Sequence, residues 1–345
     1  MQDRQQLLKV YSKPQLKEPF LIAGGPGTAN VGLRVVSYLR EKLAAELFAE
    51  IEPGDFFTPP YSFAFEEGLI ELVPGEFAEQ APQNRFYWKS GKDHDLVLFL
   101  GNTQPLPGKV PELADYVLNV AQGFNVVRVF TPGAFIADVY HLDEPAVYGV
   151  ATDRNLLEYL DSHHIAPSPP MNIAYNLVAW LLGTAKKRSI DAVGLVSEIP
   201  FYNAEGRNIR ACRALVGVLS RMLSLERIDL TDLDYLLMEE ELQIERKLEE
   251  LRESADETAG EFLQYIEQLK RQRDGEVIGR GVQFPTQEKL PESLKHIEEL
   301  YAQARQDKSK VTALRDEVGR LESFNRLLLL RKYGDELLKL LGGQM

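Results

Sequence analysis

Two hydrophobic rhythms alternate along the first two thirds of the chain. Continuous apolar runs recur as Phe20-Leu21-Ile22-Ala23, Leu96-Val97-Leu98-Phe99-Leu100, Val126-Val127-Arg128-Val129-Phe130 and Ala192-Val193-Gly194-Leu195-Val196. Runs of this length, bounded by glycine or polar residues, read as strands covered on both faces. Between them apolar residues return every three or four positions, which is the stripe of an amphipathic helix. Val31, Val35, Leu39, Leu43 and Leu47 form one such stripe, and Ile209, Cys212, Val216, Leu219 and Leu223 another. Further helices are expected near 110–122, from Asp153 onward, and near 172–185. Strands are expected at Leu69-Ile70-Glu71-Leu72-Val73 and Arg85-Phe86-Tyr87-Trp88, on an antiparallel side of the sheet, and at Val147-Tyr148-Gly149-Val150. Repeated strand–helix–strand units predict an α/β fold: a mixed, mostly parallel sheet with helices on both faces.

After about residue 230 the rhythm is helical throughout. Thr231-x-x-Asp234 and Ser254-x-x-Glu257 both fit the capping box that satisfies free N–H groups at a helix start. Between them run Leu237, Ile244, Leu248 and Leu251; after the second box run Phe262, Ile266 and Leu269. Later stripes are Leu290, Leu294, Ile297, Tyr301 and Val311, Leu314, Val318, Leu321. The expected organisation is an α/β core over 1–230 and a helical C-terminal extension over 231–345. The extension divides into a hairpin at 231–272, a linker at 273–288 and helices within 289–341. Its heptads stop short of the three or four in succession that a coiled coil needs. Charge supports the boundary: 43 of the 115 residues after 230 are charged, against 48 of the 230 before them.

Composition narrows the function classes. With 345 residues, 44% hydrophobic and 26% charged, the chain can bury one large core or two ordinary ones. A net charge of −13 works against nucleic acid as a partner, because phosphate binding needs surplus lysine and arginine. No apolar run approaches a membrane span, and the start Met-Gln-Asp-Arg-Gln-Gln carries no secretory pattern. One cysteine allows neither an internal disulfide nor a thiolate metal cluster, so a cytoplasmic setting is expected.

The candidate chemistry is sparse. Gly24-Gly25-Pro26-Gly27 sits where α/β proteins bind phosphates. However, the dinucleotide fingerprint counted from Gly25 and Gly27 ends on Asn30, and no lysine follows as a P-loop requires. A bare anion site on the following helix, using Gly25, Gly27 and Asn30, is the functional reading; an ordinary glycine turn is the plain one. Asp153 is either an N-cap, a role Thr152 fills as well, or a ligand carboxylate at a strand end. Glu198, after the strand at 192–196, stands in a similar position. The histidines, His94, His141, His163, His164 and His296, show no helical ligand spacing, and Cys212 lies on an apolar stripe as a core thiol. No metal or cofactor is expected, and no Gly-x-Ser-x-Gly elbow supports a hydrolase.

Several segments together carry a family likeness. They are Phe20–Gly27 with Val31-Gly32, Val97–Pro105, Val147–Asp153, Ile190–Leu195 with Ile199-Pro200-Phe201-Tyr202, and the stretch from Ser220 to Leu233. In this order and spacing the chain resembles the proteasome assembly chaperone family, in its bacterial and archaeal branch. The resemblance implies a core like that of nucleoside phosphorylases without their catalytic residues, used as an oligomeric protein-binding module and independent of ATP. Two departures stand out. The helix near 172–185 is preceded by Pro170-Met171-Asn172, not a glycine-rich turn. The chain also ends Gly342-Gly343-Gln344-Met345, without the hydrophobic-Tyr-X tail by which some such chaperones dock on proteasomes.

Two readings follow. The first is a non-enzymatic homo-oligomer that binds a protein client, with no nucleic acid, membrane or cofactor. The alternative is a phosphorylase- or hydrolase-like enzyme, or an anion- or nucleotide-binding protein. Its pocket at the strand ends would gather Gly25, Gly27, Asn30, Thr152, Asp153 and Glu198.

Overall fold

The computed structural model describes residues 7–57, 61–66, 69–74, 82–169, 176–225, 228–253, 257–273 and 295–320. The chain falls into two compact units, Met1–Arg246 and Lys247–Met345. The first unit carries eleven strands among its described residues: β1 (Leu8–Val10), β2 (Phe20–Gly24), β3 (Glu46–Ile51), β4 (Tyr61–Glu66), β5 (Leu69–Pro74), β6 (Asn84–Lys89), β7 (Leu96–Gly101), β8 (Arg128–Ala137), β9 (Val147–Ala151), β10 (Ala166–Pro167) and β11 (Ala192–Pro200). Its helices are α1 (Val31–Lys42), α2 (Val110–Gly123), α3 (Arg154–Ser162), α4 (Leu177–Lys187) and α5 (Ile209–Met222). Helix α6 (Thr231–Glu253) begins in this unit and runs across the division.

Nine strands form one mixed sheet in the order β1-β3-β6-β7-β2-β8-β11-β9-β10, and β4 pairs with β5 in a separate hairpin. The centre, β7-β2-β8-β11, is parallel; β1, β3 and β6 join antiparallel on one side and β9 on the other. The central strands are continuously apolar because both their faces are covered. Phe20, Ile22, Leu96, Leu98 and Phe130 pack under α1, α3 and α5. Leu21, Ala23, Val97, Phe99 and Val129 pack under α2 and α4.

Two glycines set how closely α1 lies on the sheet. A Cβ on Gly32 would stand 2.2 Å from the Pro132 carbonyl oxygen of β8, and one on Gly24 would stand 2.8 Å from the Gly32 carbonyl oxygen. Helix and strand therefore touch backbone to backbone.

The structure departs from the sequence pattern in three places. The first helical stripe does not reach Leu47: α1 ends at Lys42, Ala44 turns with a φ of 49°, and Leu47 belongs to β3. The 3.6-residue spacing carried on by coincidence through a tight turn. At Thr231 the capping box does not form. Asp229 Oδ1 accepts from the Thr231 amide and hydroxyl, while Asp234 turns to Arg213. The strand expected from Val126 starts at Arg128 and runs on to Ala137. Ser254 of the second capping box, the linker after Arg273, Pro170-Met171-Asn172 before α4, the start of the helices expected within 289–341 up to residue 294, and everything after residue 320 lie outside the described residues.

In the second unit, Arg252 at the end of α6 bonds both Glu249 and Glu267 of α7 (Glu257–Arg273) at 2.8 Å. Helices α8 (Lys295–Gln306) and α9 (Val311–Arg320) pack on each other and bury Ile297, Tyr301, Leu314 and Val318.

Candidate functional site

Strand direction sorts the six candidate residues. β2, β7, β8 and β11 run the same way, so the turn Gly25–Asn30 and the end of β11 lie at one edge of the sheet. β9 runs against β11, with Ala151 opposite Val193, so Thr152 and Asp153 lie at the other edge. The structure therefore does not bring the six together. Thr152 exchanges backbone and side-chain hydrogen bonds with Ala192, and Asp153 caps α3 by accepting from the Leu156 amide at 3.1 Å. Asn30 adopts a left-handed conformation with a φ of 53° and makes no side-chain cap to α1. Glu198 lies within β11, where it accepts from the Ala146 amide at 3.0 Å and the Tyr148 hydroxyl at 3.3 Å.

The carboxyl ends of β2 and β7 are neighbours whose following helices leave to opposite faces, α1 to one and α2 to the other. This is the crevice where open α/β sheets bind ligands. A Cβ on Gly25 would have only ordinary contacts, 3.6 Å to Val178 and 3.7 Å to the Gly101 carbonyl. Beside Gly101 lies Asn84, fully buried, with neither amide atom hydrogen-bonded. The Gln104 side-chain oxygen is buried and unbonded in the same way.

A second polar site closes the ends of β8 and β11 and, apart from Glu198, is built by residues that the sequence pattern did not single out as functional. It is a cleft with about 30 Å³ accessible to water-sized molecules, bordered by His141, Glu198, Asn208, Arg210, Glu240 and Ile244. Glu240 of α6 is buried and accepts from the Asn208 and Ile209 amides, both at 2.7 Å, and from Asn203 Nδ2 at 3.1 Å. Asn208 starts α5 in a left-handed conformation without capping it. A carboxylate from another helix thus caps α5, where free N–H groups and the helix dipole favour negative charge.

The buried His141 is part of the same contact. The Tyr202 hydroxyl oxygen accepts from the His141 amide at 2.8 Å and lies 2.9 Å from Nδ1, while Nε2 lies 3.0 Å from Glu245 of α6. Tyr140 also donates to Glu245 at 3.0 Å. Burial holds the imidazole below its usual pKa, against the pull of Glu245. A neutral ring with its proton on Nε2 satisfies this pattern: Nε2 donates to Glu245 and Nδ1 accepts from Tyr202. Around this centre Arg210 bridges Glu144 and Glu241, Arg207 meets Glu239 at 2.8 Å, and Arg213 meets Asp234 at 2.6 Å. Lys42 and Tyr38 of α1 hold Asp232 at 3.0 and 2.8 Å. What the arrangement does chemically is fix α6 to the α/β layer through its carboxylates.

One sequence signal for this site exists. Glu240 falls on the stripe of the buried Leu233, Ile244 and Leu248 and the half-buried Leu237, where a charged residue must find partners. Cys212 is buried in α5, as its stripe implied, and its thiol is pushed up to about 12 by burial. Among the described residues no three His, Cys, Asp or Glu side chains form a metal-binding group, and no helix is long and apolar enough to cross a membrane.

A model of the family described as PAC2 matches residues 21–252. No curated protein matches the chain. Among solved structures, Pyrococcus furiosus PbaB, an archaeal proteasome activator, is 27% identical, with a TM-score of 0.56 over 70% of this chain and 98% of its own. Pyrococcus furiosus PbaA, an archaeal homologue of proteasome-assembly chaperone, is 20% identical, with a TM-score of 0.51 over 77% and 99%. A proteasome-assembly chaperone homologue from Mycobacterium tuberculosis is 19% identical, with a TM-score of 0.53 over 71% and 99%.

Proposed function

The chain belongs to the PAC2 family, and from that premise we propose that it is a chaperone-like protein-binding module. It works in the cytoplasm as a homo-oligomer, on a protein client and without catalysis. The observation that carries this reading is the likeness to PbaB, a proteasome activator, over nearly all of that protein's length. The likeness to two assembly-chaperone homologues supports it at the level of fold. The chemistry of the second site supports it too. His141, Glu198, Glu240 and Glu245, the groups best suited to acid–base work, are engaged in hydrogen bonds that hold elements of the fold together. The test is light scattering on the chain purified from its own lysate, with mass spectrometry of what co-elutes. A discrete oligomer carrying a protein partner in fixed ratio is expected. A chain holding a small molecule and no protein partner overturns the reading.

That second outcome has its own supporting observation in the unbonded amide of Asn84 beside Gly101, whose carbonyl lies next to Gly25. In this reading the crevice between β2 and β7 takes a small polar ligand, with Gly25, Gly27 and Asn30 as its anion-binding turn. Thr152, Asp153 and Glu198 would not take part in that site, since they lie elsewhere on the sheet or are engaged within it. Native mass spectrometry under gentle desolvation separates the two readings by the mass of what stays bound.

A further inference from the structure

Helix α6 carries apolar side chains on two faces over its first sixteen residues: Leu233, Leu237 and Ile244 turn inward together with the buried Glu240. On its flanks Asp232, Asp234, Glu239, Glu241 and Glu245 reach back and are each bonded to the α/β layer. Away from it stand Tyr235, Met238 and Leu242, exposed by 70%, 60% and 65%. These are the three most exposed large apolar residues among the described ones; the next, Tyr11, is at 47%. Single exposed apolar side chains need no explanation. Three at i, i+3 and i+7 share one helix face, and such clustering marks an interaction surface.

We propose that this face pairs with the same face of a second copy, the two α6 helices running antiparallel about a two-fold axis near Met238. A two-fold contact must be self-complementary. An axis there sets Met238 against its counterpart and Tyr235 against Leu242 in both halves. The helix dipoles select the direction, since antiparallel helices oppose them and parallel helices align them. The flanking carboxylates do not repel an equally acidic second copy, because Lys42, Arg213 and Arg207 neutralise them from behind. The buried Glu240 cap and the His141–Glu245 contact hold the helix in place before pairing, which lowers the ordering cost of association. Only the choice of a second copy as occupant rests on the homo-oligomeric reading above.

The test uses the full chain. Met238→Glu is expected to weaken self-association roughly tenfold or more, the effect of losing a central anchor, with the far-UV circular dichroism of the folded chain unchanged because the side chain is exposed. Met238→Gln repeats the test without a charge. Met238→Cys is expected to form an intermolecular disulfide under mild oxidation, as residues facing across the axis can; the buried Cys212 does not compete. An oligomer that ignores Met238→Glu, and whose Met238→Cys variant forms no intermolecular disulfide, overturns the α6 pairing and leaves the oligomeric reading standing. A wild-type chain that is monomeric at every concentration overturns both. A monomer whose binding to another protein is lost in Met238→Glu makes the stripe a client face and overturns the second copy as its occupant.

Discussion

The two polar regions at the carboxyl edge of the sheet solve one problem in opposite ways. At the ends of β2 and β7 the chain is built from small residues. Gly24 and Gly32 bring backbones together, Gly25 leaves the turn open, and the amide of Asn84 beside Gly101 is left without a hydrogen bond. At the ends of β8 and β11 the chain spends long charged side chains, and Glu240, His141 and Glu245 are each bonded to a named partner. The first region keeps an unspent polar group, which costs stability and is retained where something else gains from it. The second has been filled by the protein's own helix. A strand-end site occupied by α6 is a docking joint, and this contrast underlies the preference for protein binding over catalysis.

The largest expected effect falls on the joint. Glu240→Ala leaves the Asn208 and Ile209 amides buried without an acceptor and removes three charge-assisted bonds, the third from Asn203, for a loss of about 4 kcal/mol. Chemical denaturation of the wild type and variant measures it. A loss below about 1 kcal/mol would mean that α6 is not anchored there. Truncation makes the same point: ending the chain at residue 230 removes Glu240, whereas ending it at Arg246 keeps the whole first unit. Only the longer fragment is expected to melt cooperatively.

Next comes the glycine side of the comparison. Gly32→Ala drives a methyl against the Pro132 carbonyl of β8, and a backbone atom cannot swing aside. Overpacking of this kind costs about 3 kcal/mol, again read by denaturation. If the change were near neutral, α1 would not lie as tightly on the strand as the geometry requires.

How much of this was legible beforehand differs between the regions. The central strands could be read directly, because burial on both faces leaves an unbroken apolar run such as Leu96–Leu100. β3 could not, since Leu43 and Leu47 kept a helical spacing across the turn at Ala44. Thr152 and Asp153 each follow a strand, as a site at strand ends requires. The antiparallel entry of β9 placed them at the wrong edge, and strand direction is not written in a local pattern. In the joint, Glu240 left a trace by interrupting an apolar stripe. His141 left none, because its partner Glu245 lies 104 residues further along the chain. Asn84 heads a strand and reads there as an ordinary polar boundary residue.

A smaller effect, visible only on acidification, sharpens the joint. His141 is neutral in the fold because burial opposes its charge more than Glu245 and Glu241 favour it. Its folded pKa therefore lies below the ordinary 6.5, so the unfolded chain takes up the proton first. The sign follows: the histidine's contribution is complete above pH 6.5 and is lost as the pH falls from there toward the folded value. Melting temperatures between neutral pH and about pH 5 are expected to fall more steeply in the wild type than in His141→Gln. Glu241, Glu245, Glu144 and Arg210 are present in both proteins, so the difference between the slopes isolates the imidazole. Equal slopes would mean that the ring is solvated.

The smallest effect on stability is expected at Asn84, and it bears hardest on the contrast. Replacing an unbonded buried amide with an apolar group of similar size removes a desolvated dipole at no cost in hydrogen bonds. Asn84→Leu should therefore change stability by less than about 1 kcal/mol, and in the stabilising direction. A loss of about 2 kcal/mol or more would show that the amide is bonded in solution and that the contrast between the two regions does not hold. A gain in stability together with the disappearance of a small molecule seen in native mass spectra would show the reverse. The amide would then be kept unspent for a ligand, and the crevice at β2 and β7 would be the binding site that α6 has closed off at β8 and β11.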